Sequence, residues 1–181
     1  MKIVSLLLLF AVGACAIDST TPETVEAPTV TVHEIYLVRH AEKQTGDDPA
    51  LTADGAARAE TLAEILSEKA LTHIHSTNLK RTLETAAPIA ALMGIEVEVY
   101  DASDLAAFAL QLQATPGVHL VVGHSNTTPS LAEALGGDPG TAIDEASEYD
   151  RLYVIDLSPE MSTSRIDRFG VRYQQASDDS D

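Results

Sequence analysis

From residue 32 onward, short apolar runs alternate with amphipathic segments. Val32–Val38 is rich in β-branched residues and reads as a strand. In Thr52–Lys69 the apolar positions Ala56, Ala59, Leu62, Ala63 and Leu66 recur at helical spacing, and Thr52 can cap the segment. Ile74–Ser76 follows as a short strand, then Leu79–Leu92 as a helix stopped by Gly94, with Pro88 inside it. Ile95–Tyr100 is a strand and Leu105–Gln113 a helix ended by Pro116-Gly117. Val118–Val122 is apolar throughout, as expected of a central strand buried on both faces. Thr128–Leu135 is a helix with Pro129 in its first turn. Leu152–Leu157 and Arg165–Arg172 close the series as strands. Such alternation predicts an α/β fold: one three-layer α/β/α domain with a mostly parallel sheet, spanning residues 32–173.

Three of the strand ends carry chemistry. Leu37-Val38-Arg39-His40-Ala41-Glu42 sets an Arg-His pair behind the first strand. Ser76-Thr77-Asn78-Leu79-Lys80-Arg81-Thr82 sets an arginine behind the second, and Val121-Val122-Gly123-His124-Ser125 a histidine behind the central one. Ligands of open α/β sheets bind at the carboxyl ends of the strands. Two arginines and two histidines gathered there would form an anion-seeking pocket, and the guanidinium fork suits phosphate. Neither a P-loop nor a dinucleotide fingerprint is present.

Charge sharpens this reading. The formal net charge is -17 over 181 residues, which disfavours nucleic acid and anionic membrane surfaces as partners. Local positive charge therefore stands out against an acidic chain. The first fifteen residues read as a signal segment: Lys2, the apolar run Ile3–Val12, then Gly13-Ala14-Cys15. Val12-Gly13-Ala14-Cys15 is similar to a bacterial lipobox, in which Cys15 would carry the lipid; Ala14-Cys15-Ala16 also fits ordinary secretory cleavage. Export is expected in both cases, as a periplasmic or outer-membrane-tethered protein in the lipobox case, with a membrane contact only through the anchor. Cys15 is the sole cysteine, so an intramolecular disulfide is excluded. Residues 16–31, rich in Pro, Thr and Glu, read as a flexible tether, and residues 174–181 as a disordered acidic tail.

Taken in order, the motifs resemble the histidine phosphatase superfamily, the phosphoglycerate-mutase-like fold. Arg39-His40-Ala41 is similar to the family's Arg-His-Gly signature, with Ala in place of Gly. Leu51-Thr52-x-x-Gly55 resembles the start of the helix that follows it. Ser76-x-x-x-x-Arg81-x-x-x-Thr85-Ala86 is similar to the segment bearing the second arginine, and Gly123-His124-Ser125 to the one bearing the second histidine. The resemblance runs from about residue 35 to 157. Its short connections are more like the small phosphohistidine and periplasmic phosphatases than the mutases.

The resemblance implies a metal-independent phosphatase without cofactor, acting on a phosphorylated small molecule or phosphoprotein. His40 would be the nucleophile, kept neutral by nearby guanidinium groups. Arg39, Arg81 and His124 would bind the phosphoryl oxygens, with Lys43 and Ser125 as possible additions. A family acid, when present, lies between the second arginine and the second histidine. Glu96, Glu98, Asp101 and Asp104 occupy that stretch; Asp101 at the strand end is the expected general acid, and Asp104 is as suited to capping the next helix. His73 and His75 alternate on one strand face; with no third metal ligand evident, they read as sheet-edge residues. Two other functions remain open: a non-catalytic phosphate-binding envelope lipoprotein, and a phosphoglycerate mutase.

Overall fold

A computed structural model describes residues 32–157 and 162–174. The expected signal segment, Cys15, the tether and nearly all of the acidic tail lie outside the described residues. The element order is β1 (Glu34–Arg39), α1 (Ala53–Leu66), β2 (His73–Ser76), α2 (Lys80–Met93), β3 (Val97–Val99), α3 (Leu105–Ala114), β4 (Val118–Gly123), α4 (Thr127–Ala134), β5 (Arg151–Asp156) and β6 (Thr163–Arg168). The strands form one sheet in the order β3-β2-β4-β1-β5-β6. β3, β2, β4 and β1 run parallel, and β5 pairs antiparallel with both β1 and β6. The protein is thus α/β, with a six-stranded mostly parallel sheet and four helices.

Both faces of the sheet are covered, which is why the central strands are apolar without interruption. Tyr36 and Val38 of β1, Leu120 and Val122 of β4, and Leu152 and Val154 of β5 pack with Leu62, Leu66, Ala86 and Ile89 of α1 and α2. The alternate residues Ile35, Leu37, Val121, Tyr153 and Ile155 pack with Phe108, Leu112, Leu131 and Ala132 of α3 and α4. Fully burying a side chain of this kind contributes about 1.5–3 kcal/mol, so the two layers supply most of the drive to fold.

Element ends follow local chemistry. Thr52 Oγ1 accepts from Gly55 N at 3.1 Å and caps α1. Gly55 is needed there, because a Cβ would meet the backbone carbonyl of Glu42. α1 stops at Leu66, short of Lys69, where Ser67 Oγ donates to Glu64 O at 2.7 Å and tightens the last turn. Gly94 closes α2 with φ +68°. β6 ends at Arg168 rather than Arg172, because Phe169 N turns to Asp150 O at 2.9 Å and Gly170 takes φ +64°.

His73 and His75 are not sheet-edge residues. β2 lies between β3 and β4, and His73 pairs in register with His119. The His73 ring stacks on those of His119 at 4.4 Å and His75 at 6.1 Å, and His33 joins His119 at 5.9 Å. His75 and His119 are buried against Phe108 beneath α3, and burial pushes each down to about 4. His75 Nε2 and His119 Nδ1 share a hydrogen bond at 3.1 Å, and among the described residues no His, Cys, Asp or Glu group is arranged to hold a metal ion.

Candidate active site

The register lines up the three informative strand ends. β2, β4 and β1 are neighbours; Arg39 lies opposite Gly123, and Ser76 opposite Val122. His40, the Thr77–Arg81 turn and His124 therefore leave the sheet side by side. α2 and α4 begin at this same rim, so their positive N-terminal ends add to its affinity for anions. Gly123 is fitted to the corner: a Cβ there would lie 2.9 Å from Thr128 Oγ1 and 3.0 Å from Tyr100 OH.

A cavity of ≈ 390 Å³ opens at the rim, lined by His40, Lys43, Arg81, His124, Ser125, Asn126 and Glu145. A larger one of ≈ 590 Å³ borders β6 and the 141–151 loop. The Glu148, Asp150, Arg151 and Arg168 side chains that line it are paired with one another. The smaller cavity, where cationic and nucleophilic groups face open space, is the candidate site.

His40 is 3 % exposed and its ring centre lies 5.6 Å from that of His124. Its Nδ1 is 2.7 Å from the Ala41 carbonyl. A carbonyl only accepts, so Nδ1 carries the proton and Nε2 holds the lone pair. The pKa is pushed down to about 3, first by burial; the charges of Arg39 and Arg81 press the same way, while the Ala41 bond opposes them. The ring is a neutral imidazole with one nucleophilic nitrogen. Ala41, in the place of the signature glycine, is fully buried and donates its N–H to Thr85 Oγ1 at 3.0 Å.

Arg39 is held as much as it holds. Its Nη1 donates to the carbonyls of Asp144 at 3.2 Å and Glu148 at 3.0 Å, and its Nη2 to that of Glu145 at 2.7 Å. The Tyr149 ring lies 4.0 Å beneath the guanidinium. The 144–149 loop thus fixes the arginine in orientation. Arg39 Nε and Arg81 Nε are buried with no acceptor among the described residues. An unsatisfied buried donor costs about 1–3 kcal/mol; Arg81 lines the cavity, whereas Arg39, 3 % exposed, does not.

His124 adds a relay. Arg81 Nη2 approaches its Nδ1 at 3.5 Å, which makes Nδ1 the acceptor and leaves Nε2 to donate to Thr77 Oγ1 at 3.1 Å. Thr77 Oγ1 in turn meets Thr82 Oγ1 at 2.9 Å, and Thr82 donates to the Leu79 carbonyl at 2.8 Å. Burial first, then Arg81 and Arg39, lower the His124 pKa to about 4. The ring as placed orients Arg81 and has no free N–H.

Lys43 and Ser125 line the cavity, as does Glu145, which sequence reasoning did not single out. Asp101 does not. It lines a separate cavity with His75, Glu98 and Phe108. Its Oδ1 accepts from Ser103 N at 2.8 Å, and bonds from Ser103 hold its pKa below the ordinary value. β3 ends at Val99, two residues before Asp101. Asp104 caps α3, accepting from Ala107 N at 3.0 Å.

Sequence comparison agrees with the geometry. The model of the histidine phosphatase superfamily, branch 1, matches residues 35–104. That matched segment carries Arg39, His40 and Arg81. A relative named a probable phosphoglycerate mutase GpmB, from Serratia proteamaculans, is 38% identical over 72 residues, covering 35% of this chain and 34% of the relative. The chain therefore spans about a third of the length of that curated relative. Among solved structures, a putative phosphohistidine phosphatase SixA from Agrobacterium tumefaciens is similar with TM-score 0.59 and 20% identity, covering 77% of this chain and 99% of the other. A putative α-ribazole-5'-P phosphatase from Escherichia coli gives TM-score 0.61 and 17% identity, covering 77% and 98%. At these identities the structural likeness speaks to the fold, and the superfamily motif to the first half of the site.

Proposed function

We propose that this chain is a phosphatase that hydrolyses phosphomonoesters or phosphohistidine through a phosphohistidine intermediate on His40. The observation that carries the reading is the His40 ring, fixed by its Nδ1–H on the Ala41 carbonyl, with a bare Nε2 at a rim bearing Arg39, Arg81 and Lys43. Nε2 attacks phosphorus in line as the bond to the leaving oxygen breaks, and water then releases phosphate from the imidazole. The guanidinium groups and the helix N-termini meet the charge on the equatorial oxygens. Side chains alone supply this positive charge, so the chemistry needs no metal. The test is phosphate release from p-nitrophenyl phosphate with and without EDTA, compared between the wild type and His40→Ala. Metal-independent release that disappears in the variant supports the reading; release within tenfold of wild type in His40→Ala overturns it.

A mutase reading draws on the name of the Serratia relative. Interconversion of 2- and 3-phosphoglycerate exceeding phosphate release would favour it. Retention of Arg39, His40, Arg81 and His124 weighs against a non-catalytic binding protein. Export, with a lipid on Cys15, is part of the proposal and rests on the Lys2, Ile3–Val12 and Cys15 pattern. Labelled palmitate should enter the wild-type chain and not Cys15→Ser; a soluble wild-type chain beginning at Ile17 would decide for ordinary secretion.

A further inference from the structure

A monoester with an alkyl leaving group needs a proton delivered to its oxygen as the P–O bond breaks. Asp101 does not line the cavity that holds His40. Among the described residues, Glu145 is the sole carboxylate lining the cavity that also holds His40, Arg81 and His124. Its placement is set by the backbone, since its own carbonyl accepts from Arg39 Nη2 at 2.7 Å. The residue is therefore tied to Arg39, the last residue of β1. Its carboxylate makes no hydrogen bond or ion pair among the described residues. The carboxylates around it are all committed. Asp144 accepts from Ala146 N and Ser147 Oγ, each at 2.9 Å. Glu148 and Asp150 are bound to Arg151 and Arg168. Glu42 is bound to Arg58 at 2.7 Å, and Glu84 Oε2 accepts from Leu51 N at 2.7 Å.

We propose that Glu145, carried by the loop between α4 and β5, is the general acid and base of this site, acting on the leaving oxygen and then on water. This rests on the phosphatase reading above. In the first step His40 Nε2 forms its bond to phosphorus while the bond to the ester oxygen breaks. The protonated Glu145 carboxyl passes its proton to that oxygen, so the alcohol leaves neutral and Glu145 becomes a carboxylate. In the second step the carboxylate takes a proton from water as the water oxygen attacks phosphorus and the P–N bond breaks. Phosphate departs, and His40 and the Glu145 carboxyl return to their starting forms. The loop has two tasks in this scheme: its carbonyls fix Arg39, and its Glu145 side chain moves the proton. The preferred substrates are then alkyl monoesters, whose leaving group depends on that proton.

The experiment measures kcat/KM for glycerol 3-phosphate and for p-nitrophenyl phosphate in the wild type, Glu145→Gln, Glu145→Asp and Asp101→Asn. The nitrophenolate leaves almost unaided, so the pair of substrates reports on proton delivery. Glu145→Gln should lose about 10²–10⁴ on the alkyl ester and less than tenfold on the aryl ester. Glu145→Asp should recover part of the rate, and Asp101→Asn should resemble wild type. Equal losses on both substrates, or the alkyl-selective loss in Asp101→Asn instead, overturn the assignment and leave the phosphatase standing. A wild type that cleaves only p-nitrophenyl phosphate overturns it too, by showing that no acid serves the site. A wild type that releases phosphate from neither ester overturns the phosphatase reading along with it.

Discussion

Glu148→Gln tests whether the 144–149 loop is what holds Arg39 in place. Glu148 is 2 % exposed. It accepts from Arg151 Nε at 2.6 Å and Nη2 at 3.0 Å, from Arg168 Nη1 at 2.7 Å, and from Asp144 N at 3.0 Å. The substitution keeps the volume and removes the charge. Breaking one side of a buried ion pair costs about 3–5 kcal/mol. Arg151 retains Thr141 O at 2.6 Å and Thr141 Oγ1 at 3.0 Å, and Arg168 retains Asp150 at 2.6 Å, so the low end applies. About 3 kcal/mol in a chain of this size lowers Tm by roughly 6–12 °C. The same change loosens the carbonyls of Asp144, Glu145 and Glu148 that fix Arg39, so kcat/KM for p-nitrophenyl phosphate should fall at least tenfold at 20 °C, well below the new Tm. Differential scanning calorimetry and steady-state assays read the two effects separately. An unchanged Tm would show that the network carries no net stability. A lowered Tm with full activity would show that the loop does not position Arg39.

Further predictions follow from other parts of the site. His40, His75, His119 and His124 have pKa values depressed to about 3 or 4, so the stability they confer is fully present above the unfolded value near 6.5 and is lost as pH falls toward 4. Thermal melts in about 0.15 M salt, where surface repulsion is screened, should show Tm level above pH 6.5 and declining below it; a rising Tm would contradict the assignment. Thr77→Val breaks the relay from His124 Nε2 and should raise KM for p-nitrophenyl phosphate severalfold through a misplaced Arg81, with little change in Tm; an unaltered KM would remove Thr77 from the site. Arg39→Lys cannot reproduce bonds to three carbonyls, and should lose both activity and thermal stability in the same assays.

The fold was legible because its central strands are apolar on both faces and its helices carry clear periodicity. Those features fixed which residues sit at strand ends, and so brought out Arg39, His40, Arg81 and His124. Long-range pairing was not legible. The run Asp144-Glu145-Ala146-Ser147-Glu148-Tyr149 reads as a solvated polar turn, yet its carbonyls bind an arginine more than a hundred residues earlier. Nothing in its composition shows that Glu148 is buried; the arginines that bury it come later, at 151 and 168. Asp101, expected at the rim because it follows a strand end, lines instead the cavity that holds His75 and Phe108. The imidazole stack depends on the register of β2 against β4, which no local pattern encodes.

The central claim is covalent chemistry on His40. Rapid quench into alkali, where phosphohistidine survives, during turnover of ³²P-labelled substrate should trap label on the peptide containing His40, at up to one phosphate per chain. A chase with unlabelled substrate should discharge that label at the turnover rate, and His40→Asn should acquire none. Steady phosphate release without any label on the wild-type chain, or label on a histidine other than His40, would contradict the account.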